Sequence, residues 1–406
     1  MKRLTALMTG QSGVYFVING LTALAFAFLM PIMSLFLVTS LKTEPMFIGL
    51  YTATVSLMTI FISQKLTGMI DKGVSSKKLF LLSLSGIVAA SFGFSLATEF
   101  WHALVVGAFL MPFASSSIPL ILTMIRNYAD STGKDSAKIN SQMRSSVSLL
   151  WIFGPPLAFF SVDTFGFDTN FYLSMAIASI VMVIVAIKLE VENKQSPAEQ
   201  EKKTSQQRKI PSTIPKEVWV LCLIMMIANM ANAIYINSMP LFITNDLKFP
   251  TSYPGLMLGI TAAIEIPVML LAVQWSKRWG KTGVMKLGFV SAAAFYIGMF
   301  FAETMPVLLA LQLLNGMFFG VFVGLGITIV QDYAPNSIGR ASALYTNAML
   351  IGTMLGTSSM GLISQYYGFK APLLLSFVAV ICAGVGMWAH EANLSKQNKK
   401  LASDAR

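Results

Sequence analysis

The sequence predicts an all-α polytopic membrane protein with twelve transmembrane helices in two six-helix bundles. Three observations carry this prediction. Only 12% of the 406 residues are charged while 55% are hydrophobic, with a mean hydropathy of +0.67, a balance foreign to soluble domains of this size. Apolar runs of about 20 residues, the length that crosses the hydrocarbon core as a helix, recur along the whole chain. The basic residues lie between those runs and not in one stripe, so the net charge of +11 reflects membrane topology and argues against a nucleic-acid partner.

Taken in order, the runs fall at 14–38, 46–68, 78–98, 102–125, 141–162 and 169–188, then at 218–244, 253–275, 284–302, 305–330, 341–363 and 371–389. The first six make an N-terminal bundle over 1–189, and the second six a C-terminal bundle over 218–406 that ends in a short cytoplasmic tail. The stretch 190–217 is rich in Glu, Lys, Gln and Ser and carries Pro197, Pro211 and Pro215, which marks a solvated cytoplasmic linker. Lys2 and Arg3 resemble the start of a signal peptide. The apolar run that follows is too long for a signal h-region and lacks a small-residue cleavage pattern, so it is the first span.

Charge sets the orientation. With the N-terminus in the cytoplasm, 26 of the 29 Lys and Arg residues lie inside and only Lys42, Lys248 and Lys370 lie outside, which places both termini in the cytoplasm. The same assignment gives every acidic residue except Glu265 a place within reach of water.

The two halves echo each other. Arg126-Asn127-Tyr128-Ala129, closing span four, matches Gln331-Asp332-Tyr333-Ala334, closing span ten. Asn140-Ser141-x-x-Arg144-x-Ser146 matches Asn336-Ser337-x-x-Arg340-x-Ser342, and Gly49-Leu50 matches Gly255-Leu256. Three matches in the same order point to two six-helix repeats.

Glu265 stands in Ile264-Glu265-Ile266-Pro267, halfway along span eight. A carboxylate at the centre of a membrane helix costs on the order of 2.5–3.5 kcal/mol on insertion scales, so such a residue marks a site. Desolvation favours the neutral form of a carboxylic acid, which makes this position the candidate proton carrier. Pro267 removes a backbone donor at the same depth and invites a kink.

Gly68-Met69-Ile70-Asp71-Lys72-Gly73 between spans two and three, and Ser276-Lys277-Arg278-Trp279-Gly280-Lys281 between spans eight and nine, resemble the cytoplasmic loop signature of the major facilitator superfamily. An acid such as Asp71 at a helix end can pair with a basic residue or a helix N-terminus, forming a latch that breaks when two bundles rock. A solvated, positive-inside loop is the plainer alternative. Arg144 is either a buried cation or, like its repeat mate Arg340, an arginine at a cytoplasmic helix start. Asp71, Lys72, Arg144, Arg278, Asp332 and Arg340 are the candidate gating residues.

The resemblance narrows at Arg144 to Ala158, with its Gly154-Pro155-Pro156-Leu157-Ala158 run, at Glu265-Ile266-Pro267, at Leu311-Gln312-Leu313-Leu314-Asn315 and at Gln331-Asp332-Tyr333-Ala334-Pro335. In combination these are similar to the sugar efflux transporter family. That resemblance spans the chain and implies the major facilitator fold, a bacterial inner-membrane location and proton-coupled export of sugars and small glycosides. Drug-exporting antiporters usually carry more glycines after the Gly-Pro of span five, which sets Pro156-Leu157-Ala158 apart from them.

Independently of the family, several helix faces have the chemistry that sugars require. Gln312, Asn315, Gly316, Phe319 and Gly320 share one face of span ten. Asn229, Asn232 and Asn237 fall within an arc of about 140° on span seven, near Tyr235. Asn19 and Thr22 do likewise on span one. Amides donate and accept as hydroxyls do, and aromatic faces cover the apolar side of a sugar ring. Trp151 lies on a stripe with Arg144, Ser148 and Pro155, positioned to stack on substrate or to fill the core. Asn19, Trp151, Asn232, Tyr235, Asn237, Gln312 and Asn315 are the candidate substrate-binding residues. The competing role for each amide is to join helices at about 0.6 kcal/mol apiece.

Other chemistries lack their residues. Cys222 and Cys382 are far apart in apolar runs, and His102 and His390 have no ligand partners at metal spacing, so no metal or cofactor is expected. No G-x-x-x-x-G-K-[ST] loop occurs, so ATP is not the energy source within the chain. No paired intramembrane acids or Ser-Lys or Ser-His dyad point to an enzyme. The reading is a secondary active transporter that exports sugars or small glycosides by alternating access as a proton antiporter. It works as a monomer, and its partners are a sugar, protons and the bilayer. A multidrug exporter of the same fold is the main alternative, followed by a sugar importer and a non-transporting sensor.

Overall fold

In a computed structural model, residues 11–71, 73–132, 136–189 and 214–404 are described, and every regular element among them is helical. Lys72 and most of the expected linker fall outside the described residues, as do the side chains of Asp71 and Arg144. A helix satisfies its own backbone groups where no water can do so, and closed helices are therefore what apolar runs of this length form.

Span one comprises Gln11–Ala27, Met33–Leu35 and a π-helical turn, Phe36–Ser40. Spans two and three are Met46–Asp71 and Ser76–Ser95, and span four is built from Phe100–Phe109, Met111–Ser115 and Ser117–Ser131. Spans five and six are Ser136–Phe165 and Phe167–Lys188. Span seven is Lys216–Leu241 with a second π-helical turn, Phe242–Asp246. Spans eight to twelve are Ser252–Trp279, Lys281–Phe301, Met305–Asp332, Ile338–Tyr367 and Pro372–Asp404.

Among the described residues, eight helices are individually long and apolar enough to cross a membrane, and the bent pair in span four, at 41°, makes a ninth when taken as one span. The remaining spans differ for local reasons. Span one is interrupted near Pro31, where the helix Gln11–Ala27 ends, and in span five Leu149–Phe165 is the apolar helix found among the described residues. Span eleven carries Ser, Thr and Gly along its length, which lowers its hydropathy without breaking the helix.

Helix breaks are met by specific partners. At the break in span one, Asn170 Nδ2 of span six donates to the Phe28 carbonyl at 2.7 Å and Ser174 Oγ donates to the Ala25 carbonyl at 2.9 Å. At the bend in span four, Ser116 Oγ donates to the Pro112 carbonyl at 2.8 Å. Gly86 of span three lies beneath that bend, where an added Cβ would come within 2.9 Å of the Ala114 nitrogen.

The repeat extends into backbone geometry. Phe36 and Phe242, Lys42 and Lys248, and Gly49 and Gly255 are each 206 residues apart. Both π-helical turns close in the same way: Leu41 N–H donates to Phe36 O at 3.1 Å, and Leu247 N–H to Phe242 O at 3.0 Å. Thr43 N–H then reaches Leu37 O and Phe249 N–H reaches Ile243 O, each at 3.0 Å. Lys42 and Lys248 follow with φ of 52° and 60°. Left-handed backbone is uncommon for a lysine, and its recurrence at equivalent places marks both turns as built features.

The chain forms two compact units, the first made of residues up to Thr43 and from Ala53 to Pro211, the second of Glu44–Thr52 and the rest. In the first, Phe36, Phe94 and Phe171 cluster with ring centroids 4.9 to 6.3 Å apart. In the second, Tyr235, Phe295 and Tyr296 do so at 4.9 to 6.2 Å. Such buried rings contribute strongly to packing by area alone.

Candidate functional site

The second unit places Glu265 on a seam between spans eight and ten. Span ten presents Gly316, Gly320 and Gly324, one turn apart, to span eight. A Cβ at Gly316 would lie 2.7 Å from Ile264 Cβ, one at Gly320 would lie 2.7 Å from the Glu265 main-chain oxygen, and one at Gly324 would lie 3.0 Å from Met269 Cγ. The backbones approach this closely because glycine has no side chain to hold them apart. Glu265 itself is half-buried, and no cation among the described residues pairs with it. Pro267 sits inside the same helix, so the Ala263 carbonyl lacks its usual i+4 donor.

One turn before Glu265, the buried Thr261 is the hub of a polar chain that joins three spans. Its hydroxyl donates to Gln312 Oε1 at 3.0 Å, and Asn315 Nδ2 donates to Thr261 Oγ1 at 3.2 Å. Tyr235 of span seven donates its hydroxyl to the same Gln312 oxygen at 2.9 Å. Gln312 Nε2 in turn donates to the Leu308 carbonyl at 2.8 Å. Gln312 and Asn315 are 0% and 2% exposed, so the amide face of span ten points into the bundle. Its polar groups serve one another, except Asn315 Oδ1, which is buried with no partner.

The other expected substrate residues are distributed as follows. Asn232 is buried on span seven, while Asn237 Nδ2 donates to the Ala233 carbonyl of its own helix at 2.9 Å. Asn229 Nδ2 bridges to span eleven through the Met349 carbonyl and Thr353 Oγ1 at 2.8 and 2.9 Å. In the first unit, Asn19 Nδ2 donates to Ser146 Oγ at 3.0 Å, joining spans one and five. Trp151 is 37% exposed on span five, and one turn further on Gly154 closes against span one, where a Cβ would be 2.5 Å from Ala27 Cβ. Tyr235, Gln312 and Asn315 are therefore brought into one network within the second unit, and Asn19 and Trp151 belong to the first unit.

Of the gating candidates, Asp332 forms an ion pair with Lys281 at 2.6 Å, tying the start of span nine to the end of span ten. Arg278 and Arg340 are exposed. Beside this pair, Glu391 of span twelve is bonded to Lys286 and accepts from Thr282 Oγ1 at 3.2 Å. The His390 ring meets Tyr333 edge-on at 5.6 Å.

Thr261 escaped the sequence reading, although its i−4 relation to Glu265 placed it on the same helix face. Ser146, the partner of Asn19, and Asn170 also went unselected. Among the described residues no group of His, Cys, Asp and Glu could hold a metal.

Twelve helices in two repeated sets, with matched backbone breaks and one intramembrane carboxyl beside a buried amide network, define a polytopic transporter of the two-repeat helical class. The model of the Major Facilitator Superfamily matches residues 15–299 and 221–404. Sugar efflux transporter B of Salmonella typhimurium is 33% identical over 371 residues, covering 91% of this chain and 93% of its own. Sugar efflux transporter C of Escherichia coli is 33% identical over 381 residues, covering 91% and 94%. Among solved structures, the nucleoside transporter NupG superposes with a TM-score of 0.76 at 16% identity, covering 93% of this chain and 98% of that one. A bacterial homologue of the lysosomal transporter Spinster, inward-facing and occupied, gives a TM-score of 0.73 at 12% identity over 96% and 97%. The chain belongs to the sugar efflux transporter family of the major facilitator superfamily.

Proposed function

We propose that the protein exports sugars or small glycosides across the bacterial inner membrane by alternating access, exchanging them for protons. Support for the substrate class comes from the relatives that bear the name sugar efflux transporter at 32% to 33% identity over more than nine-tenths of the chain. Carbohydrate chemistry also suits the residues. Trp151 offers a partly exposed ring, and Tyr235 of span seven bonds to the amide pair of span ten through Gln312.

The observation that carries the coupling role is the position of Glu265, half-buried in the middle of a membrane helix with no cation paired to it among the described residues. A carboxyl there can hold a proton in one state of the transporter and give it up in another, since its solvation changes as access alternates. Thr261, Gln312 and Asn315 hold the same turn of span eight, so a rearrangement at the amide network moves the carboxyl. Lys281 and Asp332 form an exposed tie between the ends of spans nine and ten, which can break and reform as those spans shift during the cycle.

The test is transport into inside-out vesicles with a panel of labelled sugars and glycosides, with and without an imposed proton gradient. Uptake that rises with the gradient is the expected result. Uptake of a cationic dye and of no sugar would replace this reading with a drug exporter.

A further inference from the structure

Span seven meets its neighbours in the second unit on three sides. Gly352 and Gly356 of span eleven close on one side, where an added Cβ would lie 2.4 Å from the Met226 carbonyl oxygen and 2.5 Å from that of Met230. Ser376 Oγ of span twelve donates to the Ala231 carbonyl at 3.0 Å on the second side, and Tyr235 turns to Gln312 of span ten on the third. At 3.6 residues per turn, the arc of about 60° that holds Asn232, Ile236 and Asn229 lies between the sides facing spans ten and eleven. The middle of span seven lies inside the protein, because its exposed side chains Trp219, Val220 and Leu223 are near its start and every residue from Ile224 to Leu241 is buried or half-buried.

The two amides on this arc are held differently. Asn229 Nδ2 donates to the Met349 carbonyl at 2.8 Å and to Thr353 Oγ1 at 2.9 Å, which uses both of its hydrogens. A carbonyl only accepts, so the amide cannot be turned the other way round. Among the described residues nothing donates to Asn229 Oδ1, and that oxygen is not sealed in the packing. Asn232 is only 7% exposed, yet neither its oxygen nor its nitrogen bonds to any described residue, and neither atom is sealed. Its small opening therefore includes the amide. A carboxamide at membrane depth is unfavourable unless a polar group serves it.

We propose that Asn229 and Asn232 form a hydroxyl-binding subsite on span seven, in which the Asn232 amide takes two adjacent hydroxyls of a sugar and Asn229 Oδ1 accepts from a third. Asn232 accepts from one hydroxyl through Oδ1 and donates to its neighbour through Nδ2. The oxygen and nitrogen of one planar amide lie side by side, as the oxygens of a vicinal diol do. Residues three apart are neighbours on a helix surface, so both amides reach one ring. The subsite rests on the sugar-transport reading and adds a recognition rule to it. Asn229 has only an acceptor to offer, so it selects a hydroxyl that donates and rejects deoxy and fluoro replacements at that position. Its anchored amide loses no side-chain freedom on binding.

The experiment uses the full-length protein in proteoliposomes and measures the half-saturating concentration for uptake of labelled methyl glycosides of glucose, galactose and mannose and of their monodeoxy and deoxyfluoro analogues. Asn232→Ala removes an amide that the protein itself does not bond, so the melting temperature should stay at the wild-type value while the half-saturating concentration rises about tenfold. Asn232→Ser, which keeps one hydroxyl, should recover part of that loss. Asn229→Ala also gives up its ties to span eleven and should melt lower, so its binding role is read from the analogues. A rise of about fivefold is expected for the parent glycoside, the scale of one hydrogen bond. That rise should vanish for the deoxy and deoxyfluoro analogues altered at the one position that Asn229 meets.

An Asn232→Ala protein that melts well below wild type, or whose half-saturating concentrations are unchanged, would overturn the subsite and leave sugar transport standing. A rise in Asn229→Ala that is the same for the parent and every analogue would do likewise. A wild-type protein that carries no glycoside would overturn both.

Discussion

Gly320 of span ten lies against the main-chain oxygen of Glu265, so close that a Cβ at Gly320 would come within 2.7 Å of it. The obstacle is backbone, which no rotamer change can move aside. The depth and orientation of the Glu265 carboxyl are therefore set by how tightly spans eight and ten meet.

Gly320→Ala is expected to push the two spans apart and destabilise the second unit by about 1–3 kcal/mol, the usual range for overpacking. Gly339→Ala is the control, because nothing lies within 4 Å of a Cβ there. Thermal unfolding in detergent should separate the two variants, with Gly320→Ala melting lower and Gly339→Ala close to wild type.

Thr261→Val keeps the shape of the side chain and removes the hydroxyl that links Gln312 to Asn315. Both amides then lose a partner while buried, at a cost of about 1–3 kcal/mol. Thr261→Ser should restore the lost stability. Restored stability together with restored transport would tie the network to function; a serine variant as unstable as the valine one would show that the hydroxyl alone does not hold the network.

Reversing one charge in the exposed Lys281–Asp332 pair should alter stability by less than about 1 kcal/mol, and less still at high salt. Its effect on turnover should be larger, because the pair holds the ends of spans nine and ten together. Asp332→Lys is expected to slow transport, and Lys281→Asp combined with Asp332→Lys to recover most of the rate. Equal rates in wild type and both variants would remove the pair from the gating scheme.

Asn170→Ala leaves the Phe28 carbonyl without its side-chain donor and strips Ser161 of the Asn170 oxygen to which it donates at 2.9 Å. A loss of about 1–3 kcal/mol is expected for buried partners of this kind, read as a lower melting temperature with the substrate profile unchanged.

The twelve helices were legible because hydropathy over about 20 residues reports a solvent, the bilayer, and not a detailed packing arrangement. Glu265 was legible for the same reason, since an acid stands out against an apolar run. Its surroundings were harder to read. Thr261 has no such contrast, because threonine is ordinary in membrane helices and bonds to its own backbone as readily as to a neighbour. Gly320 resembles every other glycine in sequence, and only the approach of span eight distinguishes it.

The amides show the same limit. Periodicity placed Gln312 and Asn315 on one face of span ten, but it could not say whether that face meets a sugar or Thr261, and the structure places it against Thr261 and Tyr235. The Lys281–Asp332 pair joins two residues 51 positions apart, a pairing that tertiary structure alone determines. The matched π-helical turns went unread because Phe36–Ser40 and Phe242–Asp246 share only their first residue, while the constant spacing of 206 becomes visible once the backbone is seen.

The most direct test of coupling through Glu265 is proton movement in proteoliposomes that contain a pH-sensitive dye, an outward sugar gradient and no initial pH gradient. With the wild-type protein, sugar leaving the lumen should draw protons in and acidify it. Glu265→Gln should exchange labelled sugar across the membrane and leave the lumenal pH unchanged. Acidification by Glu265→Gln at the wild-type rate, or sugar efflux by the wild-type protein with no proton entry, would contradict the assignment of Glu265 as the proton carrier.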